Sequence, residues 1–354
     1  MTIEPNIFEF ATSELSQDAF LCYLMSFGKS KYKDTNTEEY KLARSFIKEL
    51  SVEEDIKEIK RQESHIDVLI LTESYAVILE DKTFSKEHSE QLKRYKEKCK
   101  KDYPNKEVKL LYFKTGYMDI QEKEKFEEKG VCIFDIEKII NLVDDYKGDN
   151  IVVKMWKEHI EKINKDIAEA KETIEDVEQL DTYYKLSNED TLKNEDTLKK
   201  DVYIDKLTKR FKETFNDVYW YRAGQGRTPH ICFQDTCFEC SCSERCKIHF
   251  GIYIMFRNEP QIVVKQHFYT IPENHRLRLK EYHKYGEELK SLQEMKHKFQ
   301  QSIPSGEGWE KRNENKDKLI ILEKKVSNMN ECIENIKKLQ EIIKNIGTPI
   351  DNPS

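Results

Sequence analysis

Glycine and proline are scarce, eleven and eight among 354 residues. A chain with so few helix breakers is expected to carry long helices. No stretch approaches the roughly 18 consecutive apolar residues of a membrane span, so no membrane contact is expected. A basic start followed by an apolar run is also missing, so no secretory leader is expected and the compartment is read as cytoplasmic. The net charge of −7 excludes a surface that is basic all over, but it leaves room for a local basic groove. Cysteines are unevenly placed: four are scattered (Cys22, Cys99, Cys132, Cys332) and five lie between 232 and 246. An odd count without a leader reads as free thiols in a reducing compartment.

Charge is abundant, at 36% of residues against 38% apolar, so the apolar runs stand out. Two of them lie inside the segment His65–Tyr95. The first is Ile66–Leu71, with Asp67 near its start; the second is Tyr75–Leu79, which stops at Glu80-Asp81-Lys82. Only Thr72-Glu73-Ser74 separates them. Runs this short and apolar read as buried strands, and the spacing is that of a hairpin. Asp67 and Glu80 then meet at the end away from the turn, and Lys82 shares the Glu80 face of a continuing strand. Two carboxylates suit a hard divalent cation such as Mg²⁺. Such an ion activates bound water and neutralises charge on a phosphate, and a lysine beside it can orient the attacking water. The plain alternative is a hairpin with charged ends, and the D…ExK spacing alone does not choose between them.

Asp67…Glu80-Asp81-Lys82 resembles the D-x(n)-(D/E)-x-K signature of the PD-(D/E)XK nuclease superfamily. Gln91 and Tyr95 match the Q-x-x-x-Y element of its RecB-like exonuclease branch, nine residues after Lys82. Glu14, in SELSQDAF, sits where many members carry a glutamate on the first core helix. The segment from Asn6 to Leu21 is similar to the start of a bacterial group of these proteins. The resemblance covers roughly residues 6 to 140. One departure is Ile66 in place of proline before Asp67, at a position that contributes no ligand. The resemblance implies Mg²⁺ or Mn²⁺ held by Asp67, Glu80, the Asp81 backbone carbonyl and Glu14. It implies Lys82 on the water, and Gln91 and Tyr95 on the phosphate. Glu63, Gln17 and Asp18 are supporting candidates.

The rest of the chain fits that frame. Val108–Phe113 and Val131–Phe134 read as further strands alternating with helices, as in an α/β sandwich with a mixed sheet. Between Lys86 and Lys109 nine basic residues face five acidic ones, which is either a solvated helix face or a phosphate-guiding one. Ser16 is expected to cap the helix through Phe20 and Leu24. Residues 1–147 are read as the nuclease-like domain. Residues 148–200 are read as a connector of one long helix and a twice-repeated NEDTLK, and 201–272 as a small α+β lobe with antiparallel strands. Residues 273–354 are read as a helical hairpin, from Arg276–Gln301 and Lys311–Ile346, able to form a coiled-coil homodimer or to hold a partner protein. The fold class is thus α/β: a restriction-endonuclease-like core followed by a helix-rich α+β region.

Two other clusters carry site-like chemistry. Tyr219-Trp220-Tyr221-Arg222 before Gly224-Gln225-Gly226-Arg227 could stack bases, but a strand into a glycine turn is the preferred reading. Cys237-x-x-Cys240 and Cys246-x-x-His249 have the paired spacing of a zinc site. Their separation is short and the segment alternates like a strand, so a meander of free thiols is preferred over structural Zn²⁺. The expected function is a metal-dependent nuclease cleaving phosphodiester bonds, DNA foremost, in bacterial defence or DNA processing. The alternative is a silent or partner-gated nuclease-like fold serving as a nucleic-acid-binding or assembly module.

Overall fold

The computed structural model describes residues 5–11, 13–83, 85, 91–186, 193–223, 228–240, 243–256, 258–270, 275–276, 286–304, 306–311, 320–346 and 349–350. Outside the description are the side chains of 193–196, 223, 234–237, 239–240, 243–247, 249, 267–270, 275–276, 286–292 and 349–350. The chain forms two compact units, Met1–Thr173 and Ile174–Ser354.

The first unit runs α1 (Ile7–Phe10), α2 (Glu14–Ser26), α3 (Thr37–Lys48), β1 (Glu58–Glu63), β2 (Ile66–Leu71), β3 (Tyr75–Lys82) and α4 (Gln91–Asp102). It continues with β4 (Glu107–Lys114), α5 (Ile120–Glu128), β5 (Cys132–Phe134), α6 (Ile136–Asp144) and α7 (Ile151–Thr173). The five strands form one sheet in sequence order. The β1–β2–β3 part is an antiparallel meander, while β4 and β5 add in parallel. The parallel steps need crossover helices, and α4 and α5 supply them.

Alternation along the strands divides the core into two layers. On one face Ile78 and Tyr112 pack with Leu92, Tyr95 and Cys99 of α4 and Phe126 of α5. On the other, Phe113 stacks towards Phe46, Phe134 and Trp156. Trp156 of α7 also stacks on Phe20 of α2, with centroids 4.5 Å apart. The apolar stripe of α7 therefore closes the core of this unit, which extends past residue 147. The helical pattern expected from Ile151 to about Tyr184 stops at Thr173, and Ile174 opens the second unit.

Helix caps follow side-chain chemistry. Asn6 accepts from the Phe8 N–H at 3.0 Å, and Asp119 and Asp135 cap α5 and α6. For α2 the cap is Ser13 rather than Ser16: the Ser13 hydroxyl accepts the Ser16 N–H at 3.3 Å. That shift puts Glu14 in the first turn of the helix, where a carboxylate is favoured.

The second unit has α8 (Thr182–Lys185), α9 (Lys193–Lys212), β6 (Val218–Ala223), β7 (Thr228–Cys240), β8 (Ser243–Phe256), β9 (Pro260–Thr270) and β10 (His275–Arg276). It ends with α10 (Gly286–Ser302), β11 (Glu310–Lys311), β12 (Ile320–Lys325), α11 (Met329–Ile346) and β13 (Pro349–Ile350). Eight of its strands form a second sheet, antiparallel at every pairing. The stretch 311–346, expected as a single helix, divides instead: β12 pairs with β9, and among its described residues only α11 is helical. Ile320-Ile321-Leu322 is a short apolar run that serves a strand as well as a helix, and its burial against the sheet decides.

Residues 188–196 of the hexapeptide repeat fall outside the described residues or have undescribed side chains, while Thr197, Leu198 and Lys199 lie on α9; Gly224–Arg227 lies outside the described residues. Backbone pairing sets Cys237 opposite His249. The side chains of Cys237, Cys240, Cys246 and His249 lie outside the description. Cys22, Cys99, Cys132, Cys232 and Cys332 carry free thiols. No helix among the described residues is long and apolar enough to cross a membrane.

Candidate active site

Strand β3 is buried along its length after Tyr75, and β2 is buried except at Asp67. Charged residues end up at the buried end of this hairpin because the apolar run of each strand stops there while the sheet continues. The register pairs Val68 with Leu79, so Asp67 and Glu80 fall on one face, with Lys82 two residues on. Asp81 points to the other face, towards α2.

The Lys82 ammonium sits where four oxygens converge. Glu80 Oε1 is at 2.6 Å, the Asp81 carbonyl at 2.8 Å, Asp67 Oδ2 at 3.6 Å and Glu14 Oε2 at 4.0 Å. Glu80 is fully buried and Lys82 is 6% exposed. Burial works against the ammonium, but the hydrogen bond and charge of Glu80, with Asp67 and Glu14, outweigh it and hold Lys82 above the ordinary lysine range. Lys82 is therefore a cation here, not a base.

Each acid has its own support. Asp67 Oδ2 accepts the Asp81 backbone N–H at 2.9 Å. Glu14 Oε1 accepts from the Thr83 N–H at 3.2 Å and the Ser85 hydroxyl at 2.6 Å. Gln91 and Tyr95, one turn apart on α4, join through Gln91 Nε2 donating to the Tyr95 hydroxyl at 3.3 Å. Burial, with the charges of Glu80 and Asp67, pushes the Tyr95 hydroxyl above the usual tyrosine range, so it stays protonated. The structure thus gathers Asp67, Glu80, Lys82 and Glu14 around one point, with Tyr95 within their field.

Behind this point lies a second polar layer. Glu14, Gln17 and Asp18 occupy positions i, i+3 and i+4 of α2, so one helix face carries all three to the hairpin end. Gln17 Nε2 donates to Asp81 Oδ1 at 2.5 Å, and Gln17 Oε1 accepts from the Thr115 hydroxyl at 3.2 Å. Gln62 Nε2 donates to Asp18 Oδ2 at 2.7 Å and to Asp67 Oδ1 at 3.1 Å. Sequence reasoning proposed Glu63 beside Asp67; Gln62 takes that place and Glu63 is exposed. Lys114, in register with Lys82 on β4, was also missed; it is buried and donates to the Ser85 carbonyl. A charged end on two adjacent buried strands was the available signal.

Burial, then the charge of Asp67, pushes the Asp18 carboxyl up to about 6, against the hydrogen bond from Gln62. Asp81 is raised well above the carboxylate range, by burial first and then by Asp18. An acid whose folded value is raised stabilises the fold below its unfolded value near 3.8 and loses that contribution as pH rises through about 6. Asp18→Asn keeps the acceptor for Gln62 and removes the titration. In chelator, its melting temperature should exceed that of the wild type at pH 7, with a difference on the order of 2 kcal/mol. The two should converge near pH 4. Parallel melting curves from pH 4 to 7 would contradict this assignment.

The donors fit a hard cation: three carboxylates and a backbone carbonyl, with no sulfur or imidazole. As they stand the carboxylates surround the ammonium. Among the described residues no three His, Cys, Asp or Glu side chains close on one another tightly enough to form a metal cage.

A family model described as the PD-(D/E)XK nuclease superfamily matches residues 5–224. Among curated proteins and among solved structures, nothing matches the chain.

Proposed function

The chain belongs to the PD-(D/E)XK nuclease superfamily, and from that premise we propose that it is a divalent-metal-dependent nuclease hydrolysing phosphodiester bonds, with DNA as the first substrate. The observation that carries this reading is the convergence of Glu80, the Asp81 carbonyl, Asp67 and Glu14 on the point that Lys82 holds. Asp67, Glu80 and the Asp81 carbonyl would hold Mg²⁺ or Mn²⁺, with Glu14 bearing on the ion or its waters. When bound, the ion supplies Lewis acidity towards the phosphate and lowers the pKa of a coordinated water.

The chain's own residues do the remaining work. Lys82 stays protonated, so it acts by charge and by donating hydrogen bonds, to a phosphate oxygen or to the attacking water. It does not abstract the proton. Tyr95 keeps its hydroxyl proton and can donate it in a hydrogen bond to a phosphate oxygen, while Gln91 orients that hydroxyl. The exposed Lys93, Arg94, Lys98, Lys100 and Lys101 on α4 set positive charge on the helix that carries Tyr95, where it would draw a polyanion towards the site.

Incubation with single- and double-stranded DNA and RNA, linear and circular, tests the proposal. Cleavage is expected with Mg²⁺ or Mn²⁺ and none with chelator. Cleavage that persists in chelator, or no cleavage of any substrate with either ion, would overturn it.

A further inference from the structure

We infer that Gln62 is a positioning residue for the metal-facing carboxylate: its amide fixes the orientation of Asp67, and its backbone is held in an unfavourable conformation to reach it. The inference rests on the reading of Asp67 as a ligand. Gln62 has φ of +54°, in a region that non-glycine residues seldom occupy. Ser64 and His65 also have positive φ, at +55° and +70°. They close the two-residue turn between Glu63 and Ile66, and such turns require positive φ at both positions. The turn thus explains Ser64 and His65. It does not explain Gln62, which lies within β1, before the turn begins.

The left-handed backbone places the amide. One nitrogen donates to Asp18 Oδ2 at 2.7 Å and to Asp67 Oδ1 at 3.1 Å. Its two hydrogens can serve one carboxylate each. The other Asp67 oxygen takes the Asp81 N–H at 2.9 Å. Asp67 is thereby gripped at both oxygens, from β1 and from β3. Asp18, only 1% exposed on α2, is the fixed anchor that keeps the amide from swinging away. The donor also lies between two acids that would otherwise repel. Strained backbone survives where the surroundings over-determine it, and such positions gather at functional sites. Groups that hydrogen-bond a ligating carboxylate set metal affinity, by about 10–100-fold where they have been removed.

The test is the Mn²⁺ affinity of the full chain without nucleic acid, measured by calorimetry beside a thermal scan in chelator. Gln62→Gly accepts the positive φ without strain and removes the amide, whereas Gln62→Leu keeps the bulk. At least one fold-competent variant is expected to bind Mn²⁺ about tenfold more weakly than the wild type. A merely structural role would shift the melting temperature and leave the affinity alone. Folded variants that bind within about twofold of the wild type would overturn the positioning role while leaving the metal site standing. A wild type that takes up no Mn²⁺ would overturn the reading of the site and this inference together.

Discussion

Lys82→Ala is expected to lose cleavage by about a thousandfold, the scale on which one preorganised charged donor acts, and also to lose stability. Glu80 is fully buried and its carboxylate meets the ammonium at 2.6 Å. Removing one partner of such a pair leaves the other uncompensated, at a cost of roughly 3–5 kcal/mol. Activity and stability should separate in the double variant Lys82→Met with Glu80→Gln. Neutralising both partners removes the stranded charge, so most of the stability should return while cleavage stays at least about a thousandfold down. Denaturant titrations of the two single variants and the double, alongside rates at saturating Mg²⁺, check both halves. A double variant no more stable than Lys82→Ala would contradict the view that this pair is coupled in the folded state.

Asp67→Asn is expected to be equally inactive but more stable than the wild type. The asparagine retains an oxygen to accept the Asp81 N–H, gives up the hydrogen bond from Gln62, and removes one negative charge from a site that holds five acids, Glu14, Asp18, Asp67, Glu80 and Asp81. Asp67 is among the causes that raise both Asp18 and Asp81, so neutralising it relieves both. A gain of about 1 kcal/mol corresponds to a rise of about 2–4 °C in a unit of this size. A site that gathers like charges for function gives up stability to do so, and losing the function returns part of it. Asp67→Asn should therefore melt higher in chelator and cleave nothing with Mg²⁺. A variant that melts lower while losing activity would mean that Asp67 serves the fold.

The hairpin was legible because its two strands are short apolar runs in a chain crowded with charge. Both runs end at the residues that lie at the sheet end in the structure, Asp67 and Glu80-Asp81-Lys82. The pairing of i, i+3 and i+4 on α2 was also available in the sequence, though Gln17 and Asp18 read there only as supporting candidates. Gln62 was not legible. Its place depends on a left-handed backbone and on how closely α2 approaches β1 and β2, and neither leaves a local pattern. The C-terminal region misled for another reason. Apolar residues stepping by three and four from Leu319 onward satisfy a helix, yet Ile320–Leu322 is short enough for a strand, and β9 offered it an edge. Long-range pairing overrode local period there.

The most direct measurement is the rate of hydrolysis of a labelled DNA substrate across a Mg²⁺ titration, with wild type and Asp67→Asn prepared in parallel. The account predicts cleavage by the wild type that rises with Mg²⁺ and vanishes in chelator, and none by Asp67→Asn at any concentration. Cleavage by Asp67→Asn at the wild-type rate would contradict it.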